Sequence, residues 1–158
     1  MRAFGITLIM TLAGGILLAQ QAAPPPMKLF SSAADVQALI AKVKAERKEG
    51  QAIITERILT LAPYNASLEY RGAVGPAATH NKEAEMFYVI DGSGTLVTGG
   101  KLVDEKHPNP DNANGTAIEG GMARPVAKGD FVMVPPGTPH WFSKINGTII
   151  LMSLHLPQ

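Results

Sequence analysis

From residue 52 to the C-terminus the chain is a succession of short β-rich runs, each cut by Gly, Pro or Asn-Gly. This texture constrains the fold more than any other feature. Residues 53–61, 67–71, 86–90, 95–98, 131–134 and 149–154 are rich in Ile, Val, Leu, Thr and aromatic side chains, which suit a pleated, half-buried surface. Asp91-Gly92-Ser93-Gly94 and Asn146-Gly147 carry the residues that tight hairpin turns demand, so the chain is expected to reverse at both. Residues 104–121, rich in Asn, Pro and Gly, are expected to form a long loop between two strand groups. Many short strands punctuated in this way predict an all-β sandwich or barrel. With 158 residues, 46% of them apolar, the chain can fill one core and one domain.

The N-terminal third has a different texture. Met1-Arg2 precedes an uncharged stretch that runs to Ala19, followed by Gln20-Gln21 and Pro24-Pro25-Pro26. A basic start, an apolar run and a polar exit are the parts of a secretory signal peptide, here residues 1–19. The stretch is at the lower limit for a membrane anchor, about 17 residues, and Gly14, Gly15 and the Pro-rich exit favour cleavage over retention. Export to the periplasm or the exterior is therefore expected, with no stable membrane span afterwards. Arg2 leaves with the leader, so the remaining basic residues balance the 13 acidic ones. Residues 20–30 read as a linker, 31–50 as a helix and 51–158 as the β domain. Ser32 can cap the helix with Asp35 in its first turn, and Val36, Leu39, Ile40 and Val43 form one apolar stripe. Gly50 is its expected stop.

Several function classes are excluded. The chain has no cysteine, hence no disulfide, thiolate metal site or cysteine nucleophile. It has no cluster of Lys and Arg that would mark a nucleic-acid surface. It contains no phosphate-binding loop, dinucleotide fingerprint or nucleophile elbow.

The candidate chemistry lies in the histidines. His80 and Glu85 stand five residues apart at the entry to a strong strand, and His140 follows a Pro135-Pro136-Gly137-Thr138-Pro139 corner. Two imidazoles and a carboxylate on a rigid scaffold make a facial triad with coordination positions left open. Phe87 and Val89 share the strand parity of Glu85, and Phe142 that of His140, so all three should line the interior; Trp141 has the opposite parity and should pack elsewhere. His107, beside Pro108, reads as solvent-facing. Lys82 and Glu83 lie between two candidate ligands and read either as a solvated hairpin or as groups that contact an anionic substrate or shuttle a proton. His155 is the one candidate substitute ligand, but its facing is not fixed by the sequence.

The spacing resembles that of the cupin family. The first cupin motif runs Gly, five residues, His-x-His, three or four residues, Glu, six residues, Gly. Gly72, Ala78-Thr79-His80, Glu85 and Gly92 keep that count. The second motif runs Gly, five residues, Pro-x-Gly, two residues, His, three residues, Asn. Gly129, Pro135-Pro136-Gly137 and His140 keep that count as well. Two positions depart: Ala78 stands where the first histidine belongs, and Lys144 where the Asn belongs. Reading His80 and Lys82 as the pair breaks the count to both Gly72 and Glu85.

The resemblance implies a double-stranded β-helix, the jelly-roll cupin barrel, preceded here by an amphipathic helix. It implies His80, Glu85 and His140 as ligands of a divalent transition metal (Fe, Mn, Zn, Ni or Cu). It implies a small oxygen-bearing molecule as ligand and a homodimer as the default assembly. The family includes dioxygenases, isomerases and lyases, so the resemblance does not choose among these reactions. A non-catalytic ligand-binding cupin with a degenerate metal site is the alternative that Ala78 keeps open.

Overall fold

The computed structural model describes residues 26–158. One helix, α1 (Ala33–Glu46), precedes β1 (Ile53–Leu61), β2 (Tyr64–Arg71), β3 (Ala77–His80) and β4 (Glu83–Thr98). Five short strands follow: β5 (Lys101–Val103), β6 (Lys106–Asn109), β7 (Asn112–Gly115), β8 (Ala117–Glu119) and β9 (Met122–Ala127). β10 (Phe131–Val134) and β11 (His140–Pro157) complete the order. Nine strands form one antiparallel sheet that runs β1-β2-β11-β3-β7-β6, with β4 on the other side of β11 and β9 and β10 paired to β4; β5 and β8 form a separate two-stranded antiparallel sheet. This is the expected all-β double-stranded β-helix with its N-terminal helix.

Alternation along the strands sorts the side chains into two cores. Phe87, Val89, Leu96, Val126, Val134, Phe142, Ile149 and Leu151 fill the barrel interior. Ala66, Leu68, Tyr70, Ile58 and Ile150 face outward and are covered by Ile40 and Val43 of α1. Val36 and Leu39 pack against the same cluster, so the whole predicted stripe is used. Leu68 is fully buried there, and a buried side chain of that kind contributes about 2 kcal/mol. Ser32 caps α1 in a full capping box with Asp35: Asp35 N–H donates to Ser32 Oγ at 3.1 Å and Ser32 N–H to Asp35 Oδ2 at 2.8 Å. Ahead of the helix, Lys28 forms an isolated antiparallel bridge with Thr60, both backbone bonds at 2.9 Å.

Three expectations fail. The chain does not reverse at 91–94; β4 passes straight through. Nor does it reverse at Asn146-Gly147, which lies inside β11. The glycines there serve a close approach instead. Gly92 has φ +82, and a Cβ on it would lie 2.1 Å from the Thr148 carbonyl of β11. The third failure is the loop at 104–121, which contains β6, β7 and β8. Asn and Pro there mark strand ends and bulges, and the pairing between β6 and β7 shifts register between Lys106 and Asn109. The predicted leader, residues 1–19, lies outside the described residues.

Candidate metal centre

Four strand segments deliver polar side chains to one end of the barrel interior. His80 ends β3, Glu85 lies near the start of β4, and β11 supplies His140 at its first position and His155 near its last. Pairing sets their proximity. His155 is directly opposite Glu85 between β11 and β4, and His140 is opposite Ala78 between β11 and β3. Glu85 is only 3% exposed. His80 Nε2 lies 3.6 Å and His140 Nε2 3.0 Å from Glu85 Oε2, and His155 Nε2 lies 3.3 Å from Glu85 Oε1.

The structure thus brings together the three residues expected from the sequence and adds His155. The donor atoms of His80, Glu85 and His155 all lie within 4.8 Å of one another. His140 joins that group through its contact with Glu85. The ring centroids of His140 and His155 stand 5.3 Å and 5.0 Å from that of His80. The methyl group of Ala78 leaves a ring missing on β3, and His155 brings one from the far end of β11.

Each imidazole is oriented from behind. His140 Nδ1 lies 3.2 Å from the Thr138 carbonyl, an obligatory acceptor, so Nδ1 carries the proton. His155 Nδ1 lies 2.8 Å from Glu83 Oε2, with the same consequence. His80 Nδ1 lies 2.6 Å from Asn112 Oδ1, its partner across β3 and β7. Asn112 Nδ2 donates to Asn109 Oδ1 at 2.9 Å, which leaves Oδ1 to accept from His80. All three rings therefore turn Nε2 toward Glu85. Outer partners of this kind fix the tautomer and aim of metal-ligating histidines.

This arrangement suits a cation. With the proton on Nδ1, Nε2 is a lone pair facing a carboxylate oxygen, acceptor against acceptor. Only a positive charge between them resolves the conflict. Metal–nitrogen and metal–oxygen bonds of about 2.1 Å place neighbouring donors about 3.0–3.4 Å apart. The separations of 3.0 Å for His140 and 3.3 Å for His155 fall in that range, and that of His80, 3.6 Å, lies just beyond it. In the metal-free protein, a proton on His155 takes that place. The hydrogen bond to Glu85 leads in pushing His155 up to about 9, helped by Glu83. Burial by itself would raise the Glu85 carboxyl, but the hydrogen bonds from His140 and His155 hold it well below the usual carboxylate range.

Aromatic and aliphatic side chains share the interior with the buried Ser153 and with an Arg71–Glu69 pair whose guanidinium lies 4.7 Å from the Phe142 ring centroid. Phe87, 5.9 Å from His140 between ring centroids, packs edge-on against Phe142. Both line the interior, as their parity predicted, with Val89. Trp141 points out of it and donates from Nε1 to the Gly75 carbonyl at 2.9 Å. Lys82 is an exposed partner of Asp111, 2.9 Å away, whereas its neighbour Glu83 holds His155. His107 is exposed and lies 2.9 Å from Glu105.

The family model for Cupin matches residues 55–154. The chain belongs to the cupin family. No curated protein matches this cupin in sequence. Among solved structures it is similar to the Cnp3 cupin domain of Schizosaccharomyces pombe, at 14% identity and TM-score 0.51 over 68% of this chain and 63% of that one. It is similar to KdgF from Halomonas sp., at 17% identity and TM-score 0.51 over 71% and 86%. It is also similar to FeII HppE, at 12% identity and TM-score 0.52 over 70% and 54%. The chain thus spans less than two thirds of the Cnp3 domain and of HppE. At these identities the likeness is one of fold.

Proposed function

We propose that this is an exported cupin in which His80, Glu85, His140 and His155 hold one divalent transition metal and bind a small oxygen-bearing molecule for turnover. The observation that carries the reading is the convergence of three Nε2 atoms, each backed by an acceptor at Nδ1, on the buried Glu85 carboxylate. His155 supplies the ring that Ala78 lacks, which favours a working centre over a degenerate one. HppE, whose fold is similar, is an FeII protein by name, but the donor set rather than the fold supports a metal here.

A bound metal would polarise an oxygen of the ligand or activate dioxygen, the chemistry of isomerases, lyases and dioxygenases. The chain's own residues do the rest. The three imidazoles and Glu85 present four donors and shut the inner side of the site. Phe87 and Phe142 keep water from that side. Glu83, hydrogen-bonded to His155 Nδ1, holds the ring neutral and aimed when Nε2 is occupied. Export rests on the leader-like residues 1–19. Among the described residues no helix is long and apolar enough to cross a membrane. A homodimer belongs to the same proposal, with the exposed Phe131 and Met133 of β10 offering apolar surface for it.

Metal analysis of protein purified without chelator tests the centre. One divalent ion per chain is expected, with most of it lost in His80→Ala and in His140→Ala. Protein that holds no stoichiometric ion after metal loading, or variants that hold it as well as the parent, would overturn the reading. Turnover of chelating hydroxy and oxo acids by the loaded protein, absent from both variants, is the expected activity result.

A further inference from the structure

The strand register places a second feature on the same sheet face as the histidines. Residues directly opposite one another in an antiparallel pair share a face. Glu85 is opposite His155, His155 is opposite Asn65, Asn65 is opposite Thr60, and Thr60 is opposite Lys28. These five residues form one row across the sheet. The next row runs Phe87, Ser153, Ser67, Arg57. The guanidinium of Arg57 leans across to hydrogen-bond Asn65 Oδ1 and lies 3.1 Å from Ser67 Oγ. Arg57 is thereby tied beside Asn65, the neighbour of His155.

A cavity of about 490 Å³ opens at this end of the row, lined among others by Lys28, Arg57, Thr60, Tyr64 and Asn65. It is basic. No Asp or Glu lines it, and neither Lys28 nor Arg57 is within ion-pair distance of a carboxylate among the described residues. Residues 1–25 contain no acidic side chain. Strands stand about 4.8 Å apart, so the cavity wall at Asn65 and Thr60 begins one to two strand spacings, about 5–10 Å, from His155.

We propose that this cavity is the anion-recognition end of the metal site, so that the molecule bound there carries a carboxylate about 5–10 Å from its metal-chelating end. The inference rests on the metal-centre reading above and specifies its substrate class. Arg57 supplies directed N–H donors and Lys28 a mobile charge, a combination that reads carboxylates. The cavity has no glycine-rich turn or helix N-terminus among its lining residues, the usual cradle for a phosphate.

The test uses the full metal-loaded chain and two chelating hydroxy acids that differ only at the far end, 2-hydroxyglutarate and 2-hydroxypentanoate. Metal content is measured first, and absence of a bound ion overturns both the metal-centre reading and this one. With the ion in place, calorimetry is expected to show the diacid binding at least tenfold tighter, with a preference that falls as salt is raised. In Arg57→Met the preference is expected to vanish while metal content and the affinity for 2-hydroxypentanoate persist. Lys28→Met, at an exposed position whose backbone pairs with Thr60 and whose ammonium donates only to Ser31 Oγ at 3.4 Å, is expected to weaken the preference and serves if Arg57→Met fails to fold. Equal binding of the two acids by the parent, or a full preference in both variants, overturns the anion-recognition role and leaves the metal centre standing.

Discussion

Glu83 accepts the Nδ1 proton of His155 at 2.8 Å, and this turns His155 Nε2 to Glu85 at 3.3 Å. Glu83 and Glu85 are two residues apart on β4 and so share a face. One strand thus supplies both a ligand and the group that aims another ligand.

This relationship predicts an order of effects. His155→Ala removes a donor and should cost more metal affinity than any change behind it. Glu83→Gln keeps the shape of the side chain but removes the charge behind the ring, and a loss of about 10–100-fold is expected. Chelator competition on the loaded protein measures both. An affinity unchanged by Glu83→Gln would mean that the ring is aimed by packing alone.

The missing ring at Ala78 gives a complementary test. Ala78 lies opposite His140, so a histidine there would enter the same cluster. Ala78→His is expected to restore metal affinity lost in His155→Ala, at least tenfold. In the parent background it should change affinity far less, since four donors are already present. The same chelator competition on the double variant reads the rescue.

Protonation should shape the stability of the metal-free protein. His155 is raised from 6.5 to about 9, so its contribution is fully present below about pH 6.5 and is lost as pH rises through about 9. That rise corresponds to at most about 3 kcal/mol, which solvent screening at the half-buried ring reduces. Glu85 is shifted the other way, from an ordinary 4.5 downward, so its contribution is present above about pH 4.5 and is lost as pH falls. Denaturant titrations of chelator-stripped protein should therefore show greatest stability between about pH 4.5 and 6.5. Metal loading should remove the decline at high pH, because ligation requires neutral imidazole. A flat stability between pH 6.5 and 9 without metal would contradict the Glu85–His155 coupling.

Gly92 offers a test of the fold. Gly92→Ala combines a positive φ with a Cβ 2.1 Å from the Thr148 carbonyl, and a loss of about 3 kcal/mol or more is expected. Gly129→Ala, at φ +95 with nothing near the added Cβ, should cost only about 1–2 kcal/mol. Paired denaturation curves isolate the clash, and equal losses would place no strain at the β4–β11 crossing.

The helix with its Ser32 cap, the interior parity of Phe87, Val89 and Phe142, and the motif count around His80, Glu85 and His140 are all legible in the sequence, because each follows from local spacing. What local spacing misreads is glycine. The same residues mark a reversal and a close backbone crossing, and only the pairing partner tells them apart. At Gly92 that partner is Thr148, 56 positions away. The outer partners are hidden for a similar reason. Asn112 lies in a segment that reads as loop, and Thr138 and Glu83 act through contacts that have no sequence signature. His155 stands out as a histidine, but its place in the cluster depends on which residue of β4 it meets.

His140 and His155 lie 15 positions apart on the same strand, an odd number. In an unbroken pleat such residues point to opposite faces. Both reach Glu85 because the β11–β4 pairing slips: from Phe142 to Lys144 β11 advances two residues against one of β4, which inverts the phase, and from Ile145 to Ile149 it advances four against two, which preserves it. Those bulges act as a phase shifter, and the make-up of the centre depends on the number of residues inside them. A single insertion or deletion near Asn146-Gly147 would rotate one histidine outward while leaving every ligand in the sequence. In this cupin the donor set is encoded by length as well as by identity.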